Sequence, residues 1–184
     1  RASAAAVYKR SGHLRPPEVR ARQPDSSMTD HASQLSTFAA PISFGKYLLV
    51  ERLWVGPTIE VFRAKAEGFE GFSRTVTVSR LLPQVTHDDD LVRDFIEEAK
   101  RASHLHHANI AQIVDLGRVD DAYYVATEYV PGESLAHLVA VAGDKGPSLS
   151  LDLACHVIIK ICEGLEYAHN RTDTTGHPLH LIHR

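Results

Sequence analysis

Glu98 occupies the setting that most needs a chemical explanation. At helical spacing Leu91, Phe95, Glu98 and Ala102 fall on one stripe that should face a core. A carboxylate on an apolar stripe needs a partner or a raised pKa, which is how ion pairs and acid–base groups are prepared. A carboxylate at the stripe's edge that reaches solvent is the alternative. Histidines form a second grouping, with His104, His106 and His107 clustered and His177, His180 and His183 near the end. Imidazoles invite a metal, but no Cys/His spacing matches a four-ligand zinc site, so solvated or capping roles are expected and no metal site is assigned. Cys155 and Cys162 stand seven apart in a helical pattern. They project from one face, cannot bridge each other, and are expected to be structural core thiols.

The elements that must position these groups follow from periodicity and turn residues. Residues 47–54, 58–65 and 75–82 are β-rich and closely spaced, parted by Gly56-Pro57 and by the run Gly68-Phe69-Glu70-Gly71. They predict a three-stranded antiparallel meander. Asp88, Asp89 and Asp90 then open a helix, their charges favoured by its dipole. Residues 110–119 and 122–130 read as two strands joined by Asp120-Asp121. These turns are too short for parallel crossovers, so the class is α+β. After Pro131-Gly132 the chain becomes helical: a short helix over 134–141, a loop over 143–147, and a long helix capped by Ser150 and reaching His169. Leu151, Cys155, Ile158, Cys162, Leu165 and Ala168 line one stripe of that helix, and Val157, Ile159 and Ile161 lie outside it, which predicts burial on more than one side.

Composition narrows the class further. The 184 residues are 43% apolar, enough for a packed core. The net charge of -3 hides an asymmetry: residues 1–27 carry six Lys/Arg against two acids, and the remainder fourteen against twenty-one. A nucleic-acid role is therefore not expected of the folded part. No run approaches the apolar length of a membrane helix, and no apolar stretch follows the basic start as a secretory signal requires, so a cytoplasmic location is expected. The single methionine, Met28, follows text of disordered composition. It is the expected translation start, with residues 1–43 as a leader.

In order and spacing, several short motifs together resemble the protein kinase family, in particular bacterial Ser/Thr kinases with a long loop ahead of the catalytic segment. They are Phe44-Gly45-Lys46-Tyr47, Glu60-Val61-Phe62-Arg63-Ala64, the stretch 67–74, Phe95-Ile96-Glu97-Glu98-Ala99, His107-Ala108-Asn109-Ile110, Glu128-Tyr129-Val130-Pro131-Gly132 and Ile182-His183-Arg184. The resemblance covers residues 44–184. It implies a kinase-like fold with a smaller lobe of five antiparallel strands and one helix over 44–130, and the first helices of the larger lobe over 131–184. The implied reaction is transfer of the ATP γ-phosphate to Ser or Thr hydroxyls.

The site residues carried over from the family are incomplete. A kinase needs a glycine-rich turn so that backbone amides can close over phosphates. In the matching segment, residues 53–61, only Gly56 remains; Trp54 stands at the first glycine position and Pro57 removes a donor. An ordinary hairpin turn is the competing reading. Ser79 takes the place of the third-strand lysine that contacts the phosphates, and alternation puts it with Thr75 and Thr77 on the cleft face, with Arg80 on the other. Lys65 lies beyond the usual phosphate region. Glu98 matches the helix glutamate that pairs with that lysine. The resemblance further implies that Leu53, Val61 and Thr77 line an adenine pocket, that Thr127 backs it, and that the backbone of Glu128 and Val130 meets the base. Adenine-type ATP binding stays open, although strand packing would give the same pattern; Mg has no residues to support it. His183-Arg184 fits the opening of the catalytic loop, and the aspartate base and metal-binding residues would follow beyond it.

Inactivity of this polypeptide is therefore expected. It is either part of a kinase whose larger lobe lies elsewhere, or a non-catalytic pseudokinase or partner-binding module, or a nucleotide sensor that does not hydrolyse.

Overall fold

The computed structural model describes residues 36–144, 150–173 and 175–182. Its elements run β1 Ser36–Phe44, β2 Tyr47–Val55, β3 Ile59–Glu67, β4 Ser73–Leu81, α1 Asp89–Ala102, β5 Ile113–Val119, β6 Ala122–Glu128, α2 Leu135–Asp144 and α3 Leu151–His169. One antiparallel sheet carries the order β1-β2-β3-β4-β6-β5. The expected α+β class holds, with six strands rather than five. The sixth is β1, within residues expected to be leader. It joins β2 through the two-residue turn Gly45-Lys46, with Phe44 opposite Tyr47 and Gly45 at φ +56°. That conformation is open to glycine at little steric cost. The β1–β2 register shifts between Thr37 and Ile42, around Pro41. The expected translation start at Met28 lies outside the described residues, as does most of the expected loop over 143–147.

Helix ends follow the capping chemistry of the sequence. The Asp88 carboxylate accepts from Leu91 N at 3.0 Å, and the Ser150 hydroxyl from Leu153 N at 3.2 Å. In α1 the buried positions are Val92, Phe95 and Ala99, so the core stripe is turned by about one residue from the one expected through Leu91 and Ala102. Glu98 is consequently half-buried at the stripe's flank, and it is engaged in an interaction.

Pleating divides the sheet into two working faces. On the face away from α1, Phe44, Tyr47, Leu49, Phe62, Ala64, Val76, Val78, Tyr124 and Ala126 form one core cluster. Facing α1, Ile59, Val61, Leu81 and Val125 pack on Val92, Phe95 and Ala99. The sheet curls so that the start of β2 reaches β5 across the first face. There Asp115 Oδ2 accepts from Tyr47 Oη at 2.7 Å and Tyr124 Oη at 2.8 Å and meets Lys46 Nζ at 2.8 Å. Burial alone would raise the Asp115 carboxyl, but the hydrogen bonds from Lys46, Tyr47 and Tyr124 outweigh it and hold the group below its ordinary range. Burial and the bond to Asp115 push the Tyr124 phenol up to about 12 and the Tyr47 phenol up as well.

Two expectations for α3 are corrected. Cys155 and Cys162 are exposed rather than core thiols, and Leu151, Leu153, Ile158, Ile159 and Ile161 are exposed too. Among the described residues α3 docks along one side only. Gly164 is its one buried residue, lying against Asn109 and Ile110. Tyr167 Oη accepts from His106 N at 3.2 Å, and Asn109 Nδ2 donates to Glu163 Oε2 at 2.9 Å. No helix of the described residues is long and apolar enough to cross a membrane.

Candidate functional site

The register of three strands assembles the expected cleft face. Val61 pairs with Ser79 and Ser79 with Val125, forming one row across β3, β4 and β6. Arg63 pairs with Thr77 and Thr77 with Thr127, forming the next. Directly opposite residues in an antiparallel ladder point to the same side, so Val61, Thr77, Ser79 and Thr127 share the face that α1 covers. All four are buried, at 2%, 6%, 6% and 2% exposure. Leu53 packs half-buried against the same cluster.

Two of these residues carry polar atoms that the fold leaves unanswered. Ser79 Oγ and Thr127 Oγ1 are buried without a hydrogen-bond partner among the described residues, as is Arg52 Nε. An unmet buried hydroxyl is unfavourable by roughly 1–3 kcal/mol, so such atoms need a reason. The neighbours of Ser79 across the ladder are valines, and no charge stands opposite it in the register. Arg80, next in sequence, points to the other face, where its Nε bonds Glu60 Oε1 at 2.7 Å and its guanidinium lies over Phe62 at 4.9 Å and Phe44 at 5.4 Å. On the cleft face, Arg63 Nε is held by Glu51 Oε2 at 2.9 Å, and Lys65 is exposed at the far end, opposite Thr75.

The turn between β2 and β3 is equally particular. A register shift between Arg52 and Trp54 breaks the alternation, so Leu53 and Trp54 both pack toward the α1-side cluster. The Trp54 indole folds back over Gly56 so closely that a Cβ there would lie 2.0 Å from a ring carbon. Gly56 is thus the residue that lets the ring sit where it does. Gly56 N donates to Ile59 O at 2.8 Å, and Leu82 N ties the turn to β4 through Thr58 O at 2.8 Å. Glu128 N is likewise engaged, with Gln112 O at 2.9 Å, while Val130 lies half-buried just past β6. His183 and Arg184 lie outside the described residues.

Against an adenine nucleotide these residues divide in their fit. The apolar wall of Leu53, Val61 and Val125 and the two unmet hydroxyls suit a flat, hydrogen-bonding base. The phosphate side does not suit a triphosphate with magnesium. The Gly56 amide is committed to Ile59, Pro57 has none, an indole lies over the turn, and a hydroxyl stands where a cation is needed. Two surface clefts lie away from this face. One of about 390 Å³ is lined by His107, Glu163, Glu166, Tyr167, Asn170 and Arg171, and another of about 210 Å³ lies between Ala99–Ser103 and Ile113–Leu116. Neither contains any residue of the two rows except the edge residue Ile113. No group of three metal-ligating side chains occurs among the described residues.

Sequence reasoning did not identify the Glu51–Arg63 pair or the Asp115 cluster. The first was legible once β2 and β3 were registered as a hairpin. The second joins residues 68 apart in sequence and has no local signal.

Comparison with known proteins gives a consistent picture. Residues 70–184 match the family profile described as protein kinase domain. Tyrosine-protein kinase MasK of Myxococcus xanthus is 39% identical over 141 residues, covering 77% of this chain and 22% of that protein. Serine/threonine-protein kinase PrkC of Bacillus subtilis is 28% identical over 139 residues, covering 76% and 21%. Among solved structures, the PknI kinase domain of Mycobacterium tuberculosis superposes with a TM-score of 0.57 at 26% identity, covering 73% of this chain and 52% of that one. The chain thus spans about a fifth of the length of the curated relatives it matches.

Proposed function

The chain belongs to the protein kinase family, and from that premise we propose that it is the nucleotide-facing part of a bacterial Ser/Thr-kinase-like protein that does not transfer phosphate. Ser79 carries this reading. Phosphoryl transfer rests on positioning and on neutralising charge that develops on the phosphates. A cation about 4 Å from a phosphate contributes roughly 4 kcal/mol at the effective dielectric near a protein surface, and a serine hydroxyl contributes no such charge. Ser79 is buried between Val61 and Val125, so a neighbouring cation has no room to replace the missing ammonium. Glu98, the matching helix glutamate, is then a pairing residue whose lysine is gone.

The test is incubation of the chain with labelled ATP, magnesium and a generic protein acceptor. No incorporation above a heat-killed control is expected, and transfer above that control would overturn the reading. A second reading, a nucleotide sensor, is favoured by the unmet Ser79 and Thr127 hydroxyls, which supply recognition without requiring transfer.

A further inference from the structure

The cleft face and the turn beside it make opposite demands on a ligand. We propose that this site selects an uncharged nucleoside, adenosine in the simplest case, over the corresponding triphosphate, with Trp54 as the specificity-determining residue. The inference rests on the sensor reading of the site and names its ligand class.

On the base side the face is apolar, with two buried hydroxyls that lack partners, Thr127 Oγ1 and Ser79 Oγ. Buried hydroxyls of this kind gain from a ligand that brings neutral donors and acceptors. A base and ribose bring both. On the other side the Trp54 ring lies over Gly56 and against the α1-side cluster, within the turn that would have to close on phosphates. A triphosphate needs amides or cations in that position, because moving its charges out of water without such partners is unfavourable. The Gly56 amide is bonded to Ile59 O, Pro57 offers none, and Arg63 and Arg80 are each held by a glutamate. An aromatic ring in that place suits the uncharged end of a nucleoside and repels the charged extension.

Trp54 is the sole tryptophan, so its fluorescence reports directly on the site. The full chain is titrated with adenosine, AMP and ATP, the last with and without magnesium, and each titration is repeated by calorimetry. Adenosine is expected to change the fluorescence and to bind at least about ten-fold more tightly than ATP, with AMP between them. Trp54→Gly, followed by calorimetry, is expected to bring the adenosine and ATP affinities within a few-fold of each other. Trp54→Leu keeps an apolar side chain on the cluster and serves where the glycine variant fails to fold. ATP binding as tightly as adenosine to the unaltered chain would overturn the inference while leaving the sensor reading intact. An unchanged preference in both folded variants would remove Trp54 from its role. Binding of none of the three would overturn the sensor reading and the inference together, leaving the absence of transfer as a separate result.

Discussion

The two faces of one sheet treat their polar groups in opposite ways. Away from α1, Asp115 answers three donors at once, and Arg80 is matched by Glu60 and stacked on two rings. Toward α1, Ser79 and Thr127 are buried more deeply than Asp115, and their hydroxyls meet nothing. The first pattern is that of groups serving the fold. The second is that of groups kept for something outside it, since a chain selected for stability alone would have apolar residues there. Polarity inside a sheet is thus informative only when its partners are traced.

Removing the best-partnered group should break this contrast most severely. Asp115→Ala strands the Tyr47 and Tyr124 hydroxyls and the Lys46 ammonium, and is expected to destabilise the chain by about 3 kcal/mol in urea unfolding. Titration should sharpen the same point with a smaller effect. The Asp115 carboxyl is depressed in the fold, so its contribution is present above the ordinary value of 3.8 and fades as pH falls through the depressed one. The Tyr47 and Tyr124 phenols are raised, so theirs is present below 10.0 and fades with rising pH, for Tyr124 as pH approaches about 12. Urea midpoints followed against pH should drop at both ends, and the drops should shrink in Asp115→Ala. On the other face, Ser79→Ala and Thr127→Val should change stability by less than about 0.5 kcal/mol, or raise it slightly, because no bond is lost. A loss above about 1.5 kcal/mol in either would mean that the hydroxyl serves the fold, and the contrast between the faces would fail.

Much of this architecture was legible from local signals. The β2–β3–β4 meander announced itself by turn residues, and the α1 and α3 starts by Asp88 and Ser150. What escaped the sequence depends on partners far away or on small shifts. β1 reads as small and polar because an edge strand needs only one good neighbour, and its clearest cue was the glycine of the Gly45-Lys46 turn. Glu98 was expected on the α1 stripe, but a turn of one residue moved it to the flank. Ser79 was placed correctly by simple alternation. Trp54 was recognised as a departure from the family pattern, yet its direction could not be read, since the shift between Arg52 and Trp54 sets it. The thiols of α3 were expected in a core because an apolar stripe does not say whether anything packs on it.

The interruption in β1 also bears on how the chain behaves in company. A nine-residue outer strand offers a row of backbone amides and carbonyls to any other extended chain. Here the ladder slips between Thr37 and Ile42, and Pro41 in that gap has no amide to offer. The outer margin is therefore divided into two short runs, each a poor template for a foreign strand, so an exposed Ile42 sits on an edge that discourages fibre growth.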